Sequence, residues 1–341
     1  MKIIYTNWSA LRPKVSDRIN GYLALSEHNS LTLGIYKNGR LYVFGDSVGA
    51  ELFYDVGSVT KTLTAHLILK LSENGVLDIN KKADEYLPLK KGKYPTLYQL
   101  LTHTSGYHHL TPVEITLPPL ALHGYARKNP YEDCSVKTVI KALERRRHIT
   151  PRVRYGYSDF AYAILASVAE AVTKTPFSDL LEEFIKTELG MQSTHIELPA
   201  EKRYPPAANG KKILPYWVWK RDNPYIAGGG VVSNIEDILK YIALEIESEK
   251  PYITKAHAVC KSSETKGNHL MCIGWHTYKR SNQLWHVGGV GTFRSSIIVN
   301  RQKRMGVAVL GNAKGKASAN AHYIAKMLYS ELKNKRIKLS F

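Results

Sequence analysis

Ser58 and Lys61 stand three residues apart where an extended segment passes into a helical pattern. Side chains at positions i and i+3 share one helical face, so we expect the Lys61 amine beside the Ser58 hydroxyl. A serine hydroxyl becomes a good nucleophile when a base removes its proton, and an amine of lowered pKa can be that base. The pair therefore predicts nucleophilic catalysis. Two polar residues in a first helical turn are the structural alternative that this spacing alone leaves open.

Two later segments carry residue types that such a serine needs. Tyr157 comes just before an apolar helical pattern, and a tyrosine near a lysine can work as phenolate or proton shuttle because the cation lowers its pKa. His286, Gly288 and Gly289 follow later, on what should be an inner edge strand. Glycines beside a strand let a substrate backbone lie along it and let an N–H point at a developing oxyanion.

His103 is a further titratable residue, in a turn after a capped short helix. Because the chemistry already has other candidates, we interpret it as a structural histidine that fixes the turn rather than as a catalytic base.

The net charge of +19, from 48 Lys and Arg against 29 Asp and Glu, raises the question of anionic partners. Clustered cations gain affinity for nucleic acids and other polyanions by releasing counterions. The clusters here are dispersed between unrelated segments, and no nucleic-acid-binding module signature is present, which argues against specific nucleic-acid binding. Contact with an anionic polymer and a basic, solvated surface both remain open. The clusters are residues 81–82, 90–93, 145–147, 301–304 and 333–338.

Composition and cysteine usage point to an ordinary soluble protein. The chain has 341 residues, 44% apolar and 23% charged, which suggests two domains or one large one. Its three cysteines, Cys134, Cys260 and Cys272, are scattered, which favours free buried thiols over a disulfide framework or zinc site. No secretory leader or membrane-spanning run is visible, so we expect a cytoplasmic protein without a membrane span.

Strand-like alternation occurs at both ends of the chain. Residues 31–36 and 40–45 alternate with period two around Asn38-Gly39, a strong hairpin signal. Residues 269–278, 283–287, 293–300 and 305–312 also read as extended, and helices are predicted over 13–26, 58–73 and 317–333.

The middle of the chain reads mostly as helices, over 132–147, 160–173, 177–189 and 235–247. Residues 201–223 carry Trp217 and Trp219 among prolines and glycines, which suggests an excursion bordering a cleft. The glycines at 228–230 permit close approach of a backbone to a packed helix or to a ligand, and packing is the interpretation we adopt. These patterns predict an α/β (α+β) fold with a central antiparallel β-sheet flanked by helices. We expect residues 1–106 and 266–341 to form a discontinuous sheet domain, and 107–265 an inserted, mostly helical domain with the active site at their junction.

Taken together, these three segments resemble the motifs of a known protein superfamily. Ser58-x-x-Lys61, Tyr157-x-Asp159 and His286-x-Gly288, in this order, look like the three motifs of the serine β-lactamases and penicillin-binding proteins. The resemblance is closest to the class C β-lactamase-like branch, which includes D-aminopeptidases, esterases and DD-peptidase-like hydrolases, and implies a β-lactamase/transpeptidase-like fold. It runs from about Leu31 to the C-terminus. Four further stretches support it: residues 100–106, 189–194, 227–230 and 309–312.

The resemblance implies a role for each motif residue. Ser58 would be the acylated nucleophile, Lys61 its base, and Tyr157 the relay that protonates the leaving group and helps activate water. His286 stands where many relatives have Lys or His, and would bind a substrate carboxylate or polarise Tyr157. Gly288 would lie along the substrate, and the N–H groups of Ser58 and Gly289 would form an oxyanion hole, worth roughly 10²–10³ in rate per donor.

Asp159 departs from the family pattern, which usually has Asn at this position. A carboxylate loses the N–H donors of the amide and would hold Lys61 protonated. Either the catalytic balance shifts, or Asp159 binds a cationic group such as a free substrate amine.

The function we predict is a serine hydrolase that cleaves an amide or ester through a Ser58 acyl-enzyme. Peptide-like, D-amino-acid-containing or β-lactam compounds are the expected substrates, and no metal or organic cofactor is required. The alternative is a weakly active or non-catalytic protein that binds an anionic cell-wall polymer through its basic surface.

Overall fold

The computed structural model describes most of the chain: residues 3–6, 11–44, 51–107, 109, 129–148, 154–199, 204–209, 211–265, 267–313 and 320–334. Residues 335–338 of the last basic cluster, residues 317–319 of the last predicted helix and parts of the predicted insertion 107–265 lie outside the described residues.

An eight-stranded sheet forms the centre of the fold, and two short strand pairs lie apart from it. The strands are β1 Ile3–Thr6, β2 Leu31–Lys37, β3 Arg40–Phe44, β4 Tyr54–Asp55, β5 Ala208–Asn209, β6 Lys212–Ile213, β7 Val232–Ser233, β8 His269–Met271, β9 His276–Tyr278, β10 Leu284–Val290, β11 Phe293–Asn300 and β12 Met305–Gly311. The spatial order in the large sheet is β1-β3-β2-β12-β11-β10-β9-β8. Among the described strands of this sheet, only β1 and β3 pair in parallel, and every other neighbouring pair is antiparallel. The two short pairs are β4 with β7 and β5 with β6.

Helices cover both faces of this sheet. They are α1 Pro13–Leu23, α2 Thr60–Glu73, α3 Leu97–Leu101, α4 Val136–Arg145, α5 Asp159–Thr173, α6 Phe177–Thr187, α7 Ile226–Gly229, α8 Ile235–Glu247, α9 Pro251–Ala256 and α10 Asn320–Lys333. Short 3₁₀ turns occur at Gly57–Val59, Ala83–Glu85 and Lys261–Ser263.

The two faces of the sheet belong to two apolar cores because strand side chains alternate between faces. Leu33 and Ile35 of β2 pack with α1 and α10 in the smaller core. On the opposite face, α8 crosses β2 so closely that a Cβ on Gly34 would lie 2.8 Å from the Leu239 side chain. The larger core continues from there into α2, which carries Lys61, and α5, which begins at Asp159.

The predicted fold class is confirmed, and most elements lie near their predicted positions. Three predictions about element boundaries were wrong. Residues 269–278 are two strands joined by a turn at Gly274 rather than one strand, and β10 continues to Val290 instead of stopping at 287. Ser58 belongs to a 3₁₀ turn, and α2 itself begins at Thr60.

The division into domains stays a prediction. The helix α8, which belongs to the expected helical insertion, packs against β2 and β12 of the sheet.

Among the described residues, no helix has both the length and the apolar character needed to cross a membrane. All three cysteines are free, and Cys260 and Cys272 are buried.

Asp55 is a buried carboxyl group on β4, three residues before Ser58. The side chain is 2% exposed, and within the described part of the chain neither carboxyl oxygen has a hydrogen-bond partner. Burial therefore raises the pKa of Asp55 to about 8, because an unpaired carboxylate is poorly solvated in an apolar surrounding.

We expect the buried Asp55 to make the protein less stable as the pH rises. The unfolded chain loses this proton near pH 4 and the folded chain near pH 8, so between these values the folded state binds more protons. The free energy of unfolding should fall by up to about 1.4 kcal/mol per pH unit across this window. Asp55→Asn should remove that slope in urea unfolding measured from pH 4 to 8. Asp17→Asn, at an exposed carboxylate, is the control that should keep it, and an unchanged slope in Asp55→Asn would contradict the assignment.

Candidate active site

The nucleophile turn is packed directly against β10. Gly57 adopts φ +51°, and a Cβ placed on it would lie 2.5 Å from the backbone nitrogen of Gly289. Likewise a Cβ on Gly288 would overlap the Val56 carbonyl oxygen, which already accepts a hydrogen bond from Ser295 Oγ at 2.6 Å. Backbone contact this close requires glycine on both sides, and it holds Ser58 beside the strand.

Lys61 is fully buried and has three hydrogen-bond acceptors around its amine. Nζ lies 3.2 Å from Ser58 Oγ and 2.6 Å from the Gly228 carbonyl oxygen, and it also contacts Asp159 Oδ1. An ammonium has three N–H donors, one for each of these oxygens. After loss of one proton, the two remaining donors can stay on Asp159 and Gly228 while the lone pair faces Ser58. Burial lowers the pKa of Lys61, and Asp159 opposes that shift.

Both carboxylate oxygens of Asp159 are engaged by the protein itself. Oδ1 accepts from Lys61, and Oδ2 accepts from the Tyr131 hydroxyl at 2.8 Å and lies 3.5 Å from His109 Nδ1. Burial alone would raise the pKa of Asp159, but Lys61 and His109 outweigh it, and the resulting pKa lies below the ordinary value. Asp159 is therefore a carboxylate that neutralises the buried lysine.

Tyr157 lies above this ion pair. The centre of its ring is 4.9 Å from Lys61 Nζ, and its hydroxyl is close enough to Ser58 for that side chain to lower the pKa of Tyr157 against the larger effect of burial. Burial, followed by the charge of Asp159, raises the pKa of Tyr157 well above 10. The expectation that the lysine would lower this pKa was wrong, because desolvation of the phenolate outweighs the attraction of a cation that Asp159 already neutralises. Tyr157 is a neutral phenol.

His286 points into the same buried space. Its Nδ1 is 2.8 Å from the Val287 carbonyl oxygen, so this nitrogen must be the donor, and Nε2 carries the lone pair in the neutral ring. Among the described residues, Nε2 has no hydrogen-bond partner. Burial and the charge of Lys61 lower the pKa of His286 to about 3, and its ring centre lies 6.4 Å from that of Tyr157.

We expected the strand that carries His286 to lie at an edge of the sheet, but it has a neighbouring strand on each side. It has β11 along its whole length on one side, and on the other it pairs with β9 only at Trp285 and His276. The pairing with β9 does not continue to Gly288 and Gly289, so that side of the strand borders the cleft.

His103 is completely buried at φ +54°, and its Nδ1 accepts a hydrogen bond from the Ser158 backbone N–H at 3.2 Å. This contact joins the turn after α3 to the start of α5 and fits the structural role. The ring also packs against that of Tyr157, with 4.4 Å between their centres.

The predicted residues converge on one pocket of about 630 Å³, which Ser58, Tyr157, Asp159, His286, Gly288 and Gly289 line. Lys61 lies beneath its floor. Trp217 and Trp219, which we expected near a cleft, also line the pocket. Gly228 lines it too, and its carbonyl oxygen accepts a hydrogen bond from Lys61.

Sequence reasoning missed Tyr131, Tyr225, His276 and Arg294, all of which line this pocket. No local pattern marks them, since each reaches the pocket only through tertiary packing.

No cluster of three or more His, Cys, Asp or Glu side chains suited to a metal ion occurs in the part of the chain that the structure describes.

Comparisons with known proteins identify the class. The model of the Beta-lactamase family matches residues 17–329. Among solved structures, the octameric penicillin-binding protein homologue from Pyrococcus abyssi has a TM-score of 0.76 at 23% identity, covering 94% of this chain and 77% of that one. A class C beta-lactamase has a TM-score of 0.74 at 16% identity, covering 93% and 95%. At these identities the structural likeness shows the fold.

The chain therefore belongs to the beta-lactamase family, which confirms the resemblance stated from its three motifs. Sequence relatives include a beta-lactamase of Providencia stuartii, 24% identical over 72% of this chain and 63% of that protein. Protein flp of Staphylococcus aureus (strain MW2) is 24% identical over 81% of this chain and 54% of that protein. The chain thus spans between about half and two thirds of the length of these relatives.

The close contact between Gly57 and β10 generates a test with a matched control. Gly57→Ala and Gly75→Ala both place a side chain at positive φ, which costs roughly 1–2 kcal/mol of stability. Only Gly57→Ala also collides with Gly289, because the space around Gly75 is open. We expect Gly57→Ala to slow labelling of Ser58 by a fluorophosphonate about 100-fold, as misplaced nucleophiles do. Gly75→Ala should label at the wild-type rate, and equal rates in all three proteins would contradict the packing.

Proposed function

We propose that this protein is a serine hydrolase that cleaves an amide or ester through an acyl-enzyme on Ser58. The observation that carries the proposal is the 3.2 Å separation between Lys61 Nζ and Ser58 Oγ, at the floor of a pocket that also holds Tyr157. A nucleophile, an adjacent amine and a proton relay within hydrogen-bond reach are the minimum set for acyl transfer.

In acylation, Lys61 acts in its neutral form. Its lone pair takes the Ser58 proton as Oγ attacks the substrate carbonyl, and the resulting ammonium keeps its contacts with Asp159 and Gly228. The N–H groups of Ser58 and Gly289 are the proposed donors to the oxyanion. Collapse of the tetrahedral intermediate breaks the bond to the leaving group, whose nitrogen or oxygen takes a proton from Tyr157, which Lys61 then reprotonates.

Deacylation reverses these roles. Tyr157 takes a proton from water as it passes its own proton to neutral Lys61, and the water oxygen attacks the ester carbonyl. Collapse of this intermediate breaks the bond to Ser58 Oγ, which takes its proton back from Lys61. Burial and the charge of Lys61 lower the pKa of His286 to about 3, so its ring is neutral near pH 7. Its Nε2 has no hydrogen-bond partner among the described residues, and we propose that its lone pair accepts from the Tyr157 hydroxyl during catalysis. Of the two roles that the resemblance implies for His286, we adopt the polarisation of Tyr157. A neutral imidazole supplies no positive charge for a substrate carboxylate.

The proposed substrates are peptide-like, D-amino-acid-containing or β-lactam amides, and esters. The support is family membership, together with the names of similar proteins, which include a beta-lactamase/D-alanine carboxypeptidase from Yersinia pestis at 19% identity. A cytoplasmic location and the absence of a cofactor requirement stay predictions.

A second candidate function, binding of an anionic polymer, is favoured by one tertiary contact. The basic segments 90–93 and 145–147 adjoin, because the Lys93 N–H donates to the Arg147 carbonyl oxygen at 2.6 Å. Lys90, Lys91, Lys93 and Arg145 are exposed on this surface. Juxtaposed cations of this kind suit a polyanion, through contacts that weaken steeply with salt.

The first test is covalent labelling of Ser58. Wild-type protein treated with a fluorophosphonate or a fluorescent penicillin should gain the mass of one label, and Ser58→Ala should gain none, because the acyl or phosphonyl group has no oxygen to bond to. Intact-mass spectrometry measures both. Absence of label from the wild type, with salt-sensitive retention on a polyphosphate matrix, would favour the polymer binder instead.

The second test concerns Asp159. Replacing it by Asn removes the negative charge that opposes the lowering of the Lys61 pKa, so more Lys61 is neutral at a given pH. The acid limb of kcat/KM against pH should move to lower pH, for neutral and amino-terminated substrates alike. A selective loss of activity towards amino-terminated substrates, with no shift of the limb, would show instead that Asp159 binds a substrate cation.

A further inference from the structure

His109 approaches the carboxylate of Asp159 through the oxygen that Lys61 does not contact. Its Nδ1 lies 3.5 Å from Oδ2, the oxygen that also accepts from the Tyr131 hydroxyl. The His109 side chain is 48% exposed, whereas Lys61 is completely buried. Asp159 therefore lies between a buried amine and an imidazole that can exchange protons with solvent.

The backbone of His109 fixes this arrangement. Its carbonyl oxygen accepts hydrogen bonds from the backbone N–H groups of Asp159 at 3.1 Å and Phe160 at 3.3 Å. These are the first N–H groups of α5, which have no acceptor within the helix itself. The His109 ring also packs against Tyr157, with 5.3 Å between ring centres. The imidazole is therefore held beside Asp159 by both its backbone and its ring.

The proposed function creates a charge problem at Asp159. Lys61 must be neutral to take the proton of Ser58, and a neutral lysine leaves a carboxylate that is only 13% exposed without its cation. A buried charge that loses its partner costs several kcal/mol. The Tyr131 hydroxyl supplies a hydrogen bond to this carboxylate but no positive charge. A second cation is therefore needed when the lysine gives up its own charge.

Of the described residues near Asp159, His109 is the one that can supply this charge, because a histidine can change its charge near neutral pH. Burial keeps the other titratable groups of this cluster neutral near pH 7, since it raises the pKa of each tyrosine and lowers the pKa of each histidine. These groups are Tyr131, Tyr157, His103, His276 and His286. Arg294 also lines the pocket, but its charge is permanent and cannot respond to a change at Lys61.

We propose that His109 is a positioning residue that replaces Lys61 as the cationic partner of Asp159 when the lysine becomes the base. The inference rests on the proposed function and states how its base is prepared. Lys61 gives one proton to water and the imidazole of His109 takes one from water, so the three side chains together carry no net charge before or after the exchange. When Lys61 then takes the Ser58 proton, the new positive charge is matched by the oxyanion that forms on the substrate.

The test measures how fast a fluorophosphonate labels Ser58 from about pH 5 to pH 9, the range in which histidines titrate. In His109→Gln the side chain keeps hydrogen-bonding groups but cannot become a cation, so neutral Lys61 leaves Asp159 unpaired. The acid limb of the labelling rate should move to higher pH, opposite to the shift expected for Asp159→Asn. Near pH 6 the rate should fall about tenfold, less than for a fully buried pair because His109 is half-exposed.

A double variant separates this exchange from a structural role. In the Asp159→Asn background, adding His109→Gln should change the labelling rate by less than about threefold, because no carboxylate is left to compensate. A permanent cation in His109→Arg should move the acid limb below that of the wild type. His148→Gln, the same substitution at an exposed histidine after α4, is the matched control and should keep the wild-type profile. His109→Asn serves where His109→Gln fails to fold, as judged by circular dichroism.

Three results would overturn the exchange: a wild-type pH profile in His109→Gln, a loss of rate that is equal at every pH, or the same loss with Asn at position 159. A wild type that labels at Ser58, combined with any of these results, contradicts the exchange alone. A wild type that takes up no label at any pH contradicts both the exchange and the proposed function.

Discussion

The buried ion pair between Lys61 and Asp159 is the interaction on which the rest of the site depends. A lone ammonium removed from water costs several kcal/mol, so a completely buried lysine requires a compensating charge and a full set of acceptors. Asp159 supplies the charge, while Ser58 and Gly228 supply the other oxygens. The same arrangement suits a neutral amine whose lone pair faces Ser58, so one geometry serves both the stable resting form and the reactive form.

This requirement explains why distant segments meet where they do. Lys61 belongs to α2, Asp159 begins α5 and Gly228 lies in α7, so satisfying one amine fixes three helices relative to each other. The apolar surfaces of α2 and α5 share the larger core, which holds those helices rigidly. Gly57 and Gly288 then bring the nucleophile turn against β10 at a distance that side chains would prevent.

The carboxylate at Asp159 also changes the electrostatics of the pocket. Because it neutralises Lys61, the lysine does not make Tyr157 a phenolate, and burial keeps that hydroxyl protonated. Burial and the lysine together keep His286 neutral. Proton transfer in this site therefore starts from neutral groups around one ion pair, and the Tyr131 hydroxyl donates a hydrogen bond to the carboxylate of that pair.

The sequence by itself determined the class of fold, the family and the three motifs. Period-two and helical patterns are local properties, and Ser58 and Lys61 are so close along the chain that one helical turn fixes their contact. It also placed Trp217 and Trp219 near a cleft, because prolines and glycines around them predict an irregular excursion. It misjudged the ends of β10 and the number of strands in 269–278, where tertiary pairing overrides local preference.

Only the tertiary structure decided which partners each motif residue has. Tyr131 on Asp159, Gly228 on Lys61 and the basic segments 90–93 and 145–147 beside each other are contacts across tens of residues or more that no spacing encodes. The tertiary structure also decided the charge states of Tyr157 and His286. Burial raises the pKa of Tyr157 and lowers that of His286, and burial is a property of the packed chain rather than of a residue or its neighbours in sequence.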